Sequence, residues 1–315
     1  LEWSNLPLRL RLGTQSVVWG EALHYFSADV LHPKDYRDGF LNQLEWARIP
    51  QTGIHLAFDS EAVSLQFIYF PFSQVNRYPR AGAEFSVARY SPESLGLTDV
   101  RDESLFKLSE PTLGMNLGVR VSDFEIHAIA AMMRDPQFFI AREAGQVLRR
   151  HDRIVQTGLT LSWARDVWLI RAESLWSPRR TVNTFDGATL SSRDVGEVNS
   201  ILSLEWSKID NVILALQGYW NQRYLCSSTQ ILPCRTLQEG FKALVMNLPY
   251  EFEFESNFWA EAKGPSFWLS NHLRKSLDEH LRIEVMVEQF FGRGNGVFAE
   301  WSNRDQVWTR LEWTF

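Results

Sequence analysis

Three observations predict an all-β chain, a transmembrane antiparallel β-barrel with short periplasmic turns and long extracellular loops. Apolar and polar residues alternate with a period of two through about fourteen segments. The connections between those segments alternate between short and long, as a spanning barrel requires. Tryptophan, 13 residues in 315, falls near segment ends, where a ring can be buried while its N–H stays wet.

The bulk numbers permit this fold without demanding it. At 45% hydrophobic residues and a mean hydropathy of −0.23 the chain could pass for a large soluble domain. No stretch approaches the roughly 18 apolar residues of a membrane helix, but a barrel wall needs only every second residue to be apolar. The formal charge of −6 and the lack of a basic face exclude nucleic acid as a partner.

At the start of the chain, LEWSN at residues 1–5 echoes LEWSK at 204–208 and reads as the tail of a strand entering a turn. The expectation is a single barrel domain over residues 1–315 whose N-terminus lacks one or more strands of about sixteen. Residues 8–19 follow, with Leu8, Leu10 and Leu12 opposing Arg9, Arg11 and Gln15. The alternation returns at 54–58, 63–69, 113–121, 155–163, 198–206 and 281–287, and closes at 307–315. Less regular strands are predicted at 124–133, 167–176, 212–223, 240–248, 252–262 and 266–275.

Short turns are expected at 59–61, 122–123, 165–166, 208–211, 249–250 and 277–279, where charged and turn-forming residues gather. Long loops are expected at 20–46, 72–112, 134–152, 177–195, 224–237 and 292–304, with a short outer loop at 263–265. Within 134–152, PQFFIAREAGQVLRR has the proline start and basic end of a short helix. The loop 72–112 either folds inward as a constriction or lies outside as a cap. Trp163, Trp168, Trp206 and Trp313 belong to a girdle near the short turns, and Trp19, Trp176 and Trp220 to one near the long loops.

Cys226 and Cys234, the only cysteines, sit in CSSTQILPC without a histidine. They read as a loop disulfide formed in an oxidising periplasm, the alternative being two unpaired thiols.

The last strand, in which Leu311, Trp313 and Phe315 share a face, resembles the C-terminal signal that outer-membrane barrels present to their assembly machinery. It implies the outer membrane of a Gram-negative bacterium, with lipid, lipopolysaccharide and the barrel assembly machinery as partners. Near the N-terminus, RLGTQSVVWGE at 11–21, VLHPKDYRDGF at 30–40, IPQTGIHLAF at 49–58, VSLQFIYFPF at 63–72 and NRYP at 76–79 resemble a proteobacterial family of outer-membrane barrels of unknown function, distantly similar to alginate-export porins. His32 departs from that pattern, which has asparagine there. The resemblance implies an export or uptake barrel and carries over no catalytic residue.

The channel reading rests on the faces opposite the apolar ones. Near the N-terminus they carry Arg9, Arg11, Gln15, Asn116, Arg120 and Glu125, then Gln156, Arg171, Glu173, Glu197, Asn199 and Glu205. The final strands add Arg282, Glu284, Glu288, Arg310 and Glu312. Such groups cost little against water and about 2–4 kcal/mol each, for arginine, at the lipid midplane. They either line a hydrated path for a polar or amphipathic solute or form cross-strand pairs, Arg282 and Glu284 with Glu312 and Arg310, that stiffen the wall. The structural alternative is an occluded barrel that anchors or sheathes a surface or periplasmic complex, through a protein partner at the loops or in the lumen.

An enzyme is not expected. Ser270 and His272 lie two apart on one strand, but nothing around them matches a lipid-hydrolysing motif. His55 and His127 have no carboxylate or cysteine at metal-ligand spacing, and no phosphate loop occurs, so neither metal nor cofactor is predicted. Counting strands back from Phe315 places both termini in the periplasm.

Overall fold

The computed structural model describes residues 2–5, 7–20, 22, 27–37, 47–79, 97, 100–102, 110–143, 146–186, 189–226, 235–262, 266–293 and 298–314. Its strands are β1 (Glu2–Asn5), β2 (Leu8–Gln15), β3 (Gln51–Asp59), β4 (Val63–Phe70), β5 (Val100–Asp102), β6 (Thr112–Val121), β7 (Phe124–Arg134), β8 (Phe139–Glu143) and β9 (Gln146–Arg150). They continue with β10 (Arg153–Arg165), β11 (Trp168–Asp186), β12 (Thr189–Trp206), β13 (Val212–Tyr224), β14 (Arg235–Leu248), β15 (Phe252–Glu261), β16 (Ser266–Ser276), β17 (Leu281–Gly292) and β18 (Gln306–Trp313).

Fifteen of these form one sheet in chain order, omitting only β5, β8 and β9. Every predicted segment contributes a strand to it, although the first, expected over 8–19, ends at Gln15, and β1 is the strand tail that LEWSN announced. The hairpin turns fall where charged and turn residues predicted them, and several place a non-glycine residue at positive φ: Ser122, Asp166, Asn211 and Tyr250. Tight two-residue hairpins need this handedness to match the strand twist. Residues 263–265 lie outside the described residues.

Sheet polarity is inverted relative to a water-soluble β-protein. On β6, Met115, Leu117 and Val119 are exposed while Gly114, Asn116 and Gly118, which alternate with them, are buried. β7 exposes Phe124 and Ile126 and buries His127; β16 exposes Leu273 and buries Ser270 and His272. An exposed face this apolar is unfavourable in water and suits hydrocarbon. No helix among the described residues is long and apolar enough to cross a membrane.

The chain divides into two compact units. Unit 1 comprises Leu1–Ser162, Ala172–Ile201 and Asn221–Arg235; unit 2 comprises Trp163–Arg171, Leu202–Trp220 and Thr236–Phe315. In unit 1 the stretch after β2 lies on the buried face of the wall. Its Val17, Trp19, Ala28, Val30 and Leu31 form one apolar cluster with Ile68 and Phe70 of β4, Ile129, Ala131 and Met133 of β7, Ile154 and Leu175. Gly114 makes room for it, since a Cβ there would stand 2.6 Å from the Trp19 ring. Trp19, 3% exposed and donating to Gln66 at 2.9 Å, therefore belongs to this core and not to an aromatic girdle.

Two further expectations are corrected. Residues 136–150 form no helix: β8 and β9 pair antiparallel, and β5 joins β9 in parallel. Asn183 of β11 fixes this hairpin by accepting from Ile140 N–H and donating to Ile140 O, both at 2.8 Å, so the backbone groups are satisfied outside a helix. Residues 177–195 are mostly strand, because β11 and β12 run on as a long hairpin. Polar rungs hold it, Thr184 to Ser191 at 2.8 Å and Thr181 to Asp194 at 2.9 Å.

In unit 2 the strands pair in unbroken register from β15 to β18. The short turn Phe298–Trp301 packs its rings on the buried face, Trp301 edge-on to Phe290 at 5.6 Å and Phe298 beside Trp268 at 6.5 Å.

Candidate functional site: the polar face of the wall

A strand sends alternate side chains to opposite faces, so adjacent strands in register line up rows of like-facing residues. The residues expected to line a lumen alternate along their strands with the outward apolar ones. In unit 1, Arg11 pairs with Glu2 at 3.0 Å. Arg9 is opposite Ala57, and Gln15 donates to Gly53 O at 3.3 Å. Arg120 reaches Glu125 at 2.9 Å and Asp59 at 3.1 Å, and Glu125 also meets His127, which contacts Asn116 at 2.9 Å. Gln156 donates to Ser177 at 2.8 Å.

Deeper in unit 1 stands a buried chain of charges. Arg180 binds Asp135 at 2.7 Å and also Glu197, which binds Arg223 at 2.7 Å and accepts from Asn199 at 3.0 Å. These four charged side chains are 1–9% exposed, so each depends on its partners for solvation. Sequence reasoning found Glu197 and Asn199 and missed the rest. Asp135 follows the end of β7, and Arg180 lies beyond a slip in the alternation where Pro178 and Arg179 are both exposed. Arg223 and Asn221 continued the visible period of β13 and were readable.

The stretch after β2 has polar fastenings of its own. His32 takes the Val17 N–H on Nε2 at 2.8 Å and faces Ile49 O with Nδ1 at 3.2 Å, so it is the neutral Nδ1–H tautomer. Burial pushes its pKa down. Asp29 is buried against Lys34 and Arg48, the latter at 2.7 Å. Burial alone would raise the Asp29 carboxyl, but the two cations hold it below its ordinary value. Glu173 accepts from Ala22 N–H at 2.8 Å and Ala28 N–H at 2.9 Å.

Unit 2 carries a lattice instead. Glu255 meets Lys242 at 2.9 Å and Arg274 at 2.8 Å; Arg274 also meets Glu284 at 2.8 Å. Arg171 pairs with Glu205, and Glu288 accepts from Gln306 and from Trp308 at 3.3 Å. The register expected for the final pair is present, Arg282 opposite Glu312 and Glu284 opposite Arg310. The ion pairs are redirected, however: Arg282 reaches Glu253 of β15, Glu284 reaches Arg274 and His272 of β16, and Arg310 lies 3.6 Å from Glu312 of its own strand. Long side chains span more than one strand, so the row matters more than the directly opposite residue.

Ser270 and His272 are closer to catalytic geometry than their spacing suggested. The Ser270 hydroxyl lies 2.7 Å from His272 Nε2, and His272 Nδ1 lies 2.9 Å from Glu284. A carboxylate only accepts, so Nδ1 carries the proton and Nε2 accepts from Ser270. Glu284 is shared with Arg274, and Ser270 is 0% exposed. The trio is thus buried in the polar face, with the hydroxyl shielded from solvent.

Among the described residues no cluster of histidine, cysteine and carboxylate could hold a metal ion. Cys226 is disulfide-bonded, while Cys234 lies outside the described residues. Leu311 and Trp313 of the terminal signal are exposed, at 66% and 59%, on the apolar face; Phe315 lies outside the described residues. Trp168 and Trp176 are exposed as girdle residues should be, and Trp168 lies 6.5 Å from Trp206.

No protein-family model matches the sequence. No curated protein matches it either. Solved structures do resemble the fold. OccAB3 of Acinetobacter baumannii superposes with a TM-score of 0.51 at 8% identity, covering 100% of this chain and 76% of its own. OccK8 (OprE) of Pseudomonas aeruginosa gives 0.47 at 10% identity, with 92% and 75% covered. A loop L8 deletion mutant of OmpT, an outer membrane protein of Vibrio cholerae, gives 0.43 at 9%, with 93% and 74% covered. The likeness to OccAB3, together with the inverted sheet, establishes the transmembrane antiparallel barrel of the outer-membrane type.

Proposed function

We propose that this chain is a channel across the Gram-negative outer membrane for a polar or amphipathic solute, built as one barrel domain with both termini in the periplasm, and not an enzyme. The observation that carries this reading is the inverted wall: apolar side chains face outward, and both signs of charge share the opposite face in paired rows. A hydrated path lined this way orients polar solutes at little desolvation cost. Outer-membrane lipid and lipopolysaccharide are the surroundings, and Leu311, Trp313 and Phe315 present the strand to the assembly machinery. Kinship with export-type barrels belongs to the same reading, and its support is the resemblance of the segments at 11–21 and 30–40.

Purified protein in a planar bilayer should give stable ion conductance. Silence from folded protein would overturn the channel. One observation favours a second reading, an occluded barrel acting as anchor or sheath: the apolar cluster that fills the polar face of unit 1. Silence together with a stoichiometric co-purifying protein would support that reading instead.

A further inference from the structure

Glu173 lies on β11 with 2% of its surface exposed. One carboxylate oxygen accepts the backbone N–H of Ala22 and the other that of Ala28. Both donors belong to the stretch between β2 and β3, separated from Glu173 by 151 and 145 residues of sequence. Two parallel charge-assisted bonds fix orientation as well as position, which apolar packing alone does not. The far end of this stretch is fastened to the segment after β4, where Lys34 N–H donates to Asn76 at 2.7 Å and Lys34 O accepts from Arg77 N–H at 2.9 Å. Other polar fastenings tie the stretch to itself or to its own ends. His32 links Val17 to Ile49, Gln51 reaches Leu31 O, and Asp29 links Lys34 to Arg48. Trp19 adds one bond to the wall, at Gln66.

We infer that Glu173 is a latch that holds Ala22 and Ala28, and with them Trp19, Val30 and Leu31, against the polar face of unit 1, and that it thereby sets the size of solute the channel passes. The inference rests on the channel reading for its second half only. Neither half requires the latch to move in the native protein. Glu173 acts by placing the chain that narrows the path, so it is a positioning residue.

The test uses the full chain carrying Ala28→Cys, because Ala28 is 3% exposed and Cys226, already disulfide-bonded, does not compete for a thiol reagent. Maleimide labelling at position 28 should be slow with Glu173 present and at least ten-fold faster with Glu173→Ala. Glu173→Gln should fall between, since its amide keeps one acceptor and turns a donor toward the second N–H. Single-channel conductance should rise in the same order, up to about two-fold. Ser174→Ala, on the opposite face of β11, should leave both readouts unchanged. Unchanged labelling in folded Glu173→Ala would sink the latch. Faster labelling with unchanged conductance would keep the latch and refute its role in solute size, and no conductance in any variant would refute the channel reading alone. Should Glu173→Ala not fold, the isosteric Glu173→Gln decides the question by the same two readouts.

Discussion

Two glycines show how differently the units use the same kind of wall. Gly114 in unit 1 leaves space for Trp19 and Leu31, which arrive from a stretch far away in sequence. Gly240 in unit 2 leaves space for Trp259, which belongs to the neighbouring strand; a Cβ there would stand 2.5 Å from the ring. Unit 1 thus packs a stretch of its own chain on its polar face and sets one chain of charges, Asp135, Arg180, Glu197 and Arg223, where they are almost dry. Unit 2 knits its polar face strand to strand, and the cations of its lattice are more accessible than those of the buried chain in unit 1: Arg274 is 14% and Lys242 18% exposed, against 7% for Arg180. The same alternation therefore supports two different economies of charge, one dependent on every partner and one redundant.

The largest effect should come from breaking the dependent one. Arg180→Met leaves Asp135 and one oxygen of Glu197 buried without their cation, which should cost about 3–5 kcal/mol. Arg274→Met should cost less, about 1–3 kcal/mol, because Lys242 stays with Glu255 and His272 with Glu284. The temperature at which the folded band shifts on a semi-native gel measures both, and equal losses would erase the contrast. The outward face should show no such difference. Leu117→Arg in unit 1 and Leu273→Arg in unit 2, at positions 39% and 42% exposed, should each cost about 2–4 kcal/mol in a bilayer and fold less efficiently into liposomes.

Acid should affect unit 1 through the stretch after β2. His32 is held neutral, with a pKa pushed below 6.5 by burial and with Asp29, Lys34 and Arg48 as the charges around it. Above about pH 6.5 neither the docked nor the released imidazole binds a proton. Below it the released form takes one up and the docked form resists, so docking weakens as pH falls. The Asp29 carboxylate, held below 3.8, adds a loss only at still lower pH. Hydrogen exchange at the Val17 amide, corrected for its intrinsic pH dependence, should accelerate between pH 7 and 5, and His32→Asn should remove the dependence. The smallest change is expected at the exposed pair, where Arg282→Ala at 39% exposure should move the unfolding temperature by an amount equivalent to about 0–1 kcal/mol.

Strand positions were legible because lipid outside and polar groups inside impose a period that survives every other constraint. Val307, Thr309 and Leu311 against Trp308 and Arg310 is that period in its plainest form. The identity of ion-pair partners was not legible, since Arg282 can select Glu253 over Glu312 only once side-chain reach and row geometry are known. The stretch carrying Asp29, His32 and Lys34 has no period at all, as its order comes from the wall it lies on. The helix expected at 136–150 failed for a related reason: proline and arginine at its ends argued from local propensity, while Asn183, about forty residues away, supplied the bonds that made a hairpin.

The length of the β11 and β12 hairpin has a consequence of its own. Its arms of 19 and 18 residues exceed the roughly 10 needed to cross a bilayer, leaving about 20 Å of height to spare once tilt is allowed for. In the proposed orientation that excess stands up among the sugars of the outer leaflet, braced by Arg179 and Asp194 at 2.7 Å. An antibody or a phage tail fibre that reached it there would meet paired strands.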